Sequence, residues 1–248
     1  MVRKVQDEIV GPEPRIALGV VAPFDMELDA ELLRWLPPGV DLLMTRTPFV
    51  DDVVTVEFAQ EVADEEVVAS GVRSVTAGRA DVVAYACTSG SFVRGRAGEE
   101  RLVQAMHAAG STGALTTSGA IVESLRALEI TRVAVATPYV PTLSHLLDAF
   151  LGEFDVTVTG HAALGLDQRI WEVPYAHTAE LIRRADSPDA EAIVVSCTNL
   201  PSYDLIGRME AELGKPIITA NQATMWAALR RLGQQATGVG QALIERTA

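Results

Sequence analysis

The sequence is poor in the features that mark secreted and membrane-spanning proteins. Its 248 residues include only two cysteines, Cys87 and Cys197. No basic segment followed by an apolar one opens the chain, and no apolar run approaches the roughly 18 residues needed to span a bilayer. These absences predict a cytoplasmic protein with no membrane partner, in which both cysteines are free thiols.

The usual motifs of nucleotide-binding sites and of serine hydrolases are also missing. There is no P-loop, no GxGxxG after the first predicted strand and no GxSxG elbow. The two cysteines lie 110 residues apart, and the four histidines are scattered rather than spaced as metal ligands: His107, His145, His161 and His177. We therefore expect neither a metal nor an organic cofactor.

Positive charge is scarce, since the formal net charge is -13. The acidic residues are spread over predicted helix faces, as in "QEVADEEVVASG", which indicates a solvated surface and argues against nucleic acid or an anionic membrane as a partner. A small anionic substrate would need a local group of hydrogen-bond donors to bind against this field.

Short β-branched runs alternate with amphipathic segments along the rest of the chain. Most of the apolar runs are continuous, which is typical of strands covered by helices on both faces. The alternation predicts an α/β fold with mostly parallel sheet. The predicted strands are 15–22, 40–49, 80–87, 111–117, 132–139, 154–164, 190–197 and 215–221, and the predicted helices are 25–36, 58–78, 98–110, 118–129, 141–153, 176–186, 202–214 and 221–233.

A weak internal repeat divides the chain. "RIALGVVAPFDMELDAELLRWL" resembles "RVAVATPYVPTLSHLLDAFL", and "ADVVAYACTSG" resembles "AEAIVVSCTNL"; the offset is 117 residues between the arginines and 110 between the cysteines. We predict two similar lobes with the active site in the cleft between them. Residues 15–118 plus 221–248 form the first, 119–220 form the second, and residues 1–14 form a loose arm.

Both cysteines fall at the carboxyl end of a predicted strand, where parallel sheets bind ligands. A thiolate near a helix N-terminus has a lowered pKa and can act as nucleophile or base, while an opposing thiol donates a proton. Nearby amides and hydroxyls can hold a carboxylate or a developing enolate. A single buried cysteine is commonly core filler, but two in repeated contexts favour chemistry.

The motifs "ACTSGS", "SCTNLPS", "VVAPFD" and "ATPY" resemble the aspartate/glutamate racemase superfamily, most closely its branch of maleate cis-trans isomerases and arylmalonate decarboxylases. The resemblance extends from Arg15 to about Leu232. It implies that Cys87 attacks a substrate double bond and that Cys197 transfers protons, with the substrate a small carboxylate and the protein a homo-oligomer. Residues that would contact the substrate are Thr88, Ser89, Tyr139, Thr198 and Asn199, although Tyr139 is equally well explained as a residue at the edge of the core.

Two positions depart from the family pattern. Asp25 replaces an asparagine of the isomerases, so it either meets an amino-acid-like substrate or only caps the following helix. Gln168 is the nearest match to another substrate-contacting asparagine. Isomerisation is the leading hypothesis; racemisation, decarboxylation and a binding protein without activity stay open. Decarboxylases of this branch have glycine at the position of Cys87, which favours the isomerase.

Overall fold

The computed structural model describes residues 15–247. The arm predicted over residues 1–14 lies outside that range. The strands are β1 (Ile16–Ala22), β2 (Val40–Arg46), β3 (Val82–Tyr85), β4 (Gly113–Thr116), β5 (Arg132–Tyr139), β6 (Thr157–Leu166), β7 (Ala192–Val195) and β8 (Ile217–Thr219). The helices are α1 (Asp29–Leu33), α2 (Val56–Val62), α3 (Glu65–Thr76), α4 (Thr88–Phe92), α5 (Gly95–Ala108), α6 (Thr117–Ala127), α7 (Pro141–Gly152), α8 (Tyr175–Ala185), α9 (Ile206–Leu213), α10 (Ala220–Arg231) and α11 (Ala242–Arg246).

The eight strands form two parallel four-stranded sheets with the same topology. Their orders are β2-β1-β3-β4 and β6-β5-β7-β8. Each strand of the first sheet therefore has a counterpart in the second, and the two cysteines follow the corresponding strands β3 and β7. The predicted two-lobed α/β fold with parallel sheets is confirmed.

Local sequence explains where the principal elements begin. Every residue of β3 and β7 is buried, as expected for continuous apolar strands beneath helices. Thr116 and Thr219 end corresponding strands and cap the next helix by accepting a hydrogen bond from the N–H of Gly119 and Gln222, respectively. The same strand-to-helix junction is thus built in both lobes.

Several helix boundaries differ from the sequence prediction. The predicted helix 58–78 is two helices, because Asp64 lies in extended conformation and caps α3 through the N–H groups of Glu66 and Val67. The helix predicted over 25–36 covers only Asp29–Leu33, since a turn joins the N–H of Met26 to the carbonyl of Pro23. The five-residue α4 directly after Cys87 was not predicted.

The C-terminal part of the chain returns to the first sheet. Helix α10 packs against α6, β3 and β4, and also contacts β8 and α1. A buried hydrogen bond of 2.8 Å joins the hydroxyls of Thr117 and Thr224 across the α6–α10 contact. The lobe limits given above stay a prediction. None of the helices within residues 15–247 has the length and apolar character that crossing a bilayer requires.

Candidate active site

The two cysteines line one small cavity between the lobes. Most of its walls come from residues at or just after the carboxyl ends of β1, β3, β5 and β7, which are the two central strands of each sheet. The cavity has a volume of about 20 Å³, room for a single water molecule. It is lined by Pro23, Asp25, Val54, Phe58, Cys87, Thr88, Ser89, Tyr139, Ile170, Cys197, Thr198 and Asn199.

Cys87 sits at the first turn of α4. Its backbone is extended, with φ of -139°, and its sulfur accepts a hydrogen bond from the N–H of Gly90 at 3.3 Å. The Ser89 hydroxyl lies 3.8 Å from the same sulfur. Cys87 is thus the N-cap residue of α4, and its sulfur is the group that caps the helix. The side chain is buried and lines the cavity.

Cys197 has a different backbone conformation. Its φ is +91°, in the left-handed region that residues other than glycine rarely adopt. Its sulfur accepts the N–H of Asn199 at 3.4 Å, and its carbonyl accepts the N–H of Leu200 at 3.2 Å. Such a conformation persists only when the surroundings hold it.

Burial raises the pKa of both thiols, which corrects the prediction of a lowered pKa. For Cys87 the loss of hydration outweighs the hydrogen bond from the Gly90 amide, which lowers the pKa. For Cys197 the same loss of hydration raises the pKa to about 12. The hydrogen bond from the Asn199 amide lowers this pKa, and the nearby charge of Asp25 raises it. Both thiols are therefore neutral near pH 7 in this cavity, and the short α4 does not supply enough stabilisation to ionise Cys87.

Two buried tyrosines flank the thiols. Tyr139 accepts a hydrogen bond from the Ser196 hydroxyl at 3.4 Å, and burial raises its pKa well above the usual value. Tyr85 donates to the carbonyl of Val62 at 2.6 Å, and burial likewise raises its pKa. The hydroxyl of Tyr85 lies against Gly90, next to the sulfur of Cys87. Tyr85 was not predicted as a site residue, although its position two residues before Cys87 was an available signal.

All but one of the predicted substrate-contacting residues line the cavity. The side-chain hydroxyl of Thr88 is buried and has no hydrogen-bond partner among the described residues, so it is free for a ligand. Unlike Thr88, Asn199 has protein partners for its side chain. Its amide oxygen accepts the N–H of Glu27 and its amide nitrogen donates to the carbonyl of Asp25, both at 2.9 Å. Its side chain therefore joins the two lobes, and a contact between Asn199 and the substrate stays a prediction.

Gln168 is the exception. It lines a separate surface hollow beside Leu164, Arg169 and His177 rather than the cavity between the thiols. The prediction that Gln168 contacts the substrate is therefore not supported by its placement. The reason is that its segment turns away at Arg169, whose φ of +52° begins a short 3-10 turn, and Ile170 is the residue that reaches the cavity.

Asp25 is the only carboxyl group among the residues that line the cavity. Burial raises its pKa, and Arg46, which lowers it, is ion-paired with Asp29. Asp25 does not cap the following helix, because α1 begins at Asp29 with Leu28 at the N-cap. The helix-capping interpretation of Asp25 is therefore wrong, and its carboxyl is available to a ligand or a thiol proton.

The apolar side of the cavity was likewise not predicted from the sequence. Val54, Phe58 and Ile170 lie on it, and the N–H of Val54 donates to the carbonyl of Asp167 at 2.7 Å across the cleft. Phe24 extends this surface outward by packing its ring edge-on to Phe58 and to Phe49. Within residues 15–247, no group of three or more potential ligand side chains is placed to hold a metal ion.

The fold and site together define a class of two-lobed α/β proteins that hold one thiol from each lobe at a buried cleft. The sequence pattern of the arylmalonate decarboxylase family matches residues 41–244. The chain belongs to this family.

Named relatives fall into two groups. The arylmalonate decarboxylase of Bordetella bronchiseptica is 37% identical over 158 residues, which is 62% of this chain and 66% of that protein. The maleate isomerase of Nocardia farcinica is 32% identical over 61% of this chain and 64% of its own length. The chain therefore aligns with just under two thirds of the length of these curated relatives.

Solved structures match over almost the full chain. A liganded double mutant of arylmalonate decarboxylase, with glycine changed to cysteine and cysteine to serine, has a TM-score of 0.86 at 30% identity and covers 93% of this chain and 99% of its own. A cysteine-to-serine mutant of the Nocardia farcinica maleate cis-trans isomerase, bearing a covalently bound succinylcysteine intermediate, has a TM-score of 0.79 at 26% identity, with 94% and 99% covered.

Proposed function

We propose that the protein is an isomerase of a small unsaturated carboxylate or dicarboxylate and that Cys87 and Cys197 act from opposite sides of the substrate. The observation that carries the proposal is the pair of thiols lining a single cavity, one from each lobe, beside the unpartnered hydroxyl of Thr88. That hydroxyl and the neighbouring Ser89 supply donors for a carboxylate group.

The reaction that fits this arrangement is reversible addition of a thiol to the double bond. The Cys87 sulfur bonds to one alkene carbon after its proton passes to the carboxylate of Asp25, and Cys197 gives its proton to the other carbon. Rotation about the carbon–carbon bond, which addition has made single, and the reverse of both steps release the trans isomer, with every proton returned. The covalent succinylcysteine in the isomerase relative supports an adduct of this kind.

The raised pKa of each thiol sets the roles of the side chains. A neutral Cys197 is already protonated and suits a proton donor. Cys87 needs a base, and Asp25, whose pKa is also raised, is the carboxylate in the cavity that can accept the proton. Substrate binding must also widen the cavity, because its volume of about 20 Å³ holds only one water.

Decarboxylation is a second candidate that a specific observation favours. The apolar side of the cavity, formed by Val54, Phe58 and Ile170, suits an apolar substituent next to the carboxylate site. Loss of carbon dioxide from a malonate would leave an enediolate, and the neutral thiol of Cys197 would protonate it. Cys87 would then have no covalent role.

Substrate tests on the wild type and two cysteine variants distinguish these reactions. Maleate, phenylmalonate and D- and L-amino acids are incubated with wild type, Cys87→Ser and Cys197→Ser in D₂O and followed by NMR. Isomerisation of maleate should fall by roughly 10³-fold or more in both variants, as expected when a nucleophile or proton donor is removed. The Cys197→Ser variant should retain a covalent Cys87 adduct detectable by intact mass.

The outcomes separate the alternatives clearly. Activity on phenylmalonate that survives Cys87→Ser but not Cys197→Ser identifies a decarboxylase. Exchange of the α-proton of an amino acid without an adduct identifies a racemase. Full isomerase activity in either variant would contradict the two-thiol mechanism, and the circular dichroism melt of each variant controls for unfolding.

A further inference from the structure

A buried carboxylate outside the proposed chemistry lies next to the loop that follows Cys197. Glu31, in α1 of the first lobe, is only 7% exposed. One of its oxygens accepts the N–H groups of Ser202 at 2.8 Å and Tyr203 at 3.0 Å, and the other accepts the side-chain amide of Asn221 at 3.2 Å. A single side chain of the first lobe thus binds a loop of the second.

The same amide of Asn221 reaches the residue adjacent to the thiol. It donates to the carbonyl of Thr198 at 2.9 Å, and Thr198 directly follows Cys197. Residues 198–203 are therefore held at both ends, by Glu31 at Ser202 and Tyr203 and by the Glu31–Asn221 pair at Thr198. These hydrogen bonds are buried or half-buried, and those with the carboxylate are of the stronger, charge-assisted kind.

The two cysteines differ in their need for such support. Cys87 has an ordinary extended backbone, whereas Cys197 has φ of +91°. On its other side, Cys197 follows Ser196, whose N–H is fixed by the carbonyl of Ala136 at 2.9 Å. The chain is thus restrained immediately before and after the strained residue, which is the condition under which such a conformation survives.

We propose that Glu31 is a positioning residue that holds Cys197 in its left-handed conformation and thereby aims its thiol into the cavity. The role of that thiol rests on the proposed function, but the effect of Glu31 on its geometry does not. Glu31 touches no atom of the cavity itself and acts through Ser202, Tyr203 and Asn221.

Two variants of Glu31 and one of Glu210 make a matched set. Glu31→Ala removes the acceptor of all three donors. Glu31→Gln keeps an oxygen for the two backbone N–H groups but places an amide nitrogen against Asn221. Glu210→Ala is the control, because Glu210 accepts the backbone N–H groups of Ile217 at 3.0 Å and Ala242 at 2.9 Å, away from the thiols.

The readout is the alkylation rate of each cysteine by iodoacetamide in the absence of substrate, measured by peptide mass spectrometry with Cys87 as internal reference. Release of residues 198–203 should raise the ratio of the Cys197 rate to the Cys87 rate by roughly fivefold or more in Glu31→Ala. Glu31→Gln should raise it less, and Glu210→Ala should leave it unchanged although its thermal stability falls.

An unchanged ratio in Glu31→Ala, or an equal rise in Glu210→Ala, overturns the proposal. If Glu31→Ala does not fold, the same ratio is measured in Glu31→Gln, and an unchanged ratio there also overturns the proposal. With an accepted substrate, kcat should fall in Glu31→Ala while KM changes little. A protein that turns over none of the test carboxylates refutes the proposed function, whereas the alkylation ratio judges Glu31 independently.

Discussion

The two cysteines look equivalent in the sequence, yet their backbones make opposite demands on the side chain. Cys87 has φ of -139° and Cys197 has φ of +91°. Replacing Cys197 by glycine removes the clash that a Cβ makes in the left-handed region, whereas the extended backbone of Cys87 has no such clash to remove.

Stability measurements on four variants test this difference. Cys197→Gly should be more stable than Cys197→Ala by about 1 kcal/mol. At the other site, Cys87→Gly and Cys87→Ala should be about equally stable, because the preference of an N-cap for glycine over alanine offsets the flexibility that glycine adds to the unfolded chain. Urea unfolding at pH 7 gives the four values, and an advantage of glycine as large at Cys87 as at Cys197 would contradict the assigned backbone conformations.

The raised pKa of Cys197 also predicts a pH dependence of stability. The unfolded chain loses the thiol proton near the ordinary value of 9.0, but the folded chain keeps it until about pH 12. The Cys197 thiol therefore contributes to stability in full below pH 9. As the pH rises from 9 to 12, the free energy of unfolding falls by up to about 1.4 kcal/mol per pH unit.

Cys197→Ser supplies the control for this measurement because serine does not titrate in that range. The free energy of unfolding should fall more steeply from pH 8 to pH 10.5 in the wild type than in Cys197→Ser, with Cys87→Ser showing the contribution of the other thiol. Parallel profiles for wild type and Cys197→Ser would show that the Cys197 thiol is not held neutral by burial.

At the scale of an element, α4 determines how closely Cys87 approaches Tyr85. A Cβ added at Gly90 would lie 2.5 Å from the Tyr85 hydroxyl and 3.1 Å from the Cys87 sulfur. This close approach explains a glycine within a helix, where it is normally unfavourable. The short helix itself escaped the sequence prediction because five residues carry too little periodicity to reveal a helix.

Gly90→Ala should therefore displace the Cys87 thiol. We expect a loss of about 1–3 kcal/mol in stability from overpacking, together with a large loss of any Cys87-dependent activity. Tyr85→Phe removes the hydroxyl that the new Cβ would meet. Combining it with Gly90→Ala should therefore restore part of the stability and part of the activity. Gly152→Ala, where the added Cβ meets nothing within 4 Å at the end of α7, is the matched control and should be neutral or slightly stabilising.

At the scale of the whole molecule, the two lobes meet at the site. The cavity of about 20 Å³ is too small for a carboxylate substrate, and the Val54–Asp167 hydrogen bond joins the lobes at its apolar side. The lobes or their loops must separate before a substrate binds, and ligand binding should then favour the closed arrangement.

Hydrogen exchange provides the test of this closure. The N–H of Val54 should exchange much faster than that of Val83, which lies in the buried strand β3, and should slow when a carboxylate ligand is added. Exchange at Val54 as slow as at Val83 without ligand would mean that the cleft does not open at this contact.

The sequence predicted features that depend on local pattern or on repetition. All eight strands, the parallel two-lobed fold and the paired placement of Cys87 and Cys197 belong here. What it could not predict depends on contacts between distant residues: Asn199 bonds to Asp25, 174 positions away, and therefore joins the lobes. The raised pKa of each thiol likewise follows from burial in the folded protein, which neither motif reveals.

The hydrogen bonds of Glu31 have a consequence for the order of folding. They join α1 to a loop 171 positions further along the chain, so their closure follows formation of the local elements on each side. Each parallel sheet can form within its own half, but the backbone of Cys197 reaches its strained state only when the halves dock. During refolding, native fluorescence and helicity should consequently recover before Cys197 becomes protected from alkylation, because the surroundings of this thiol are the last part of the site to mature.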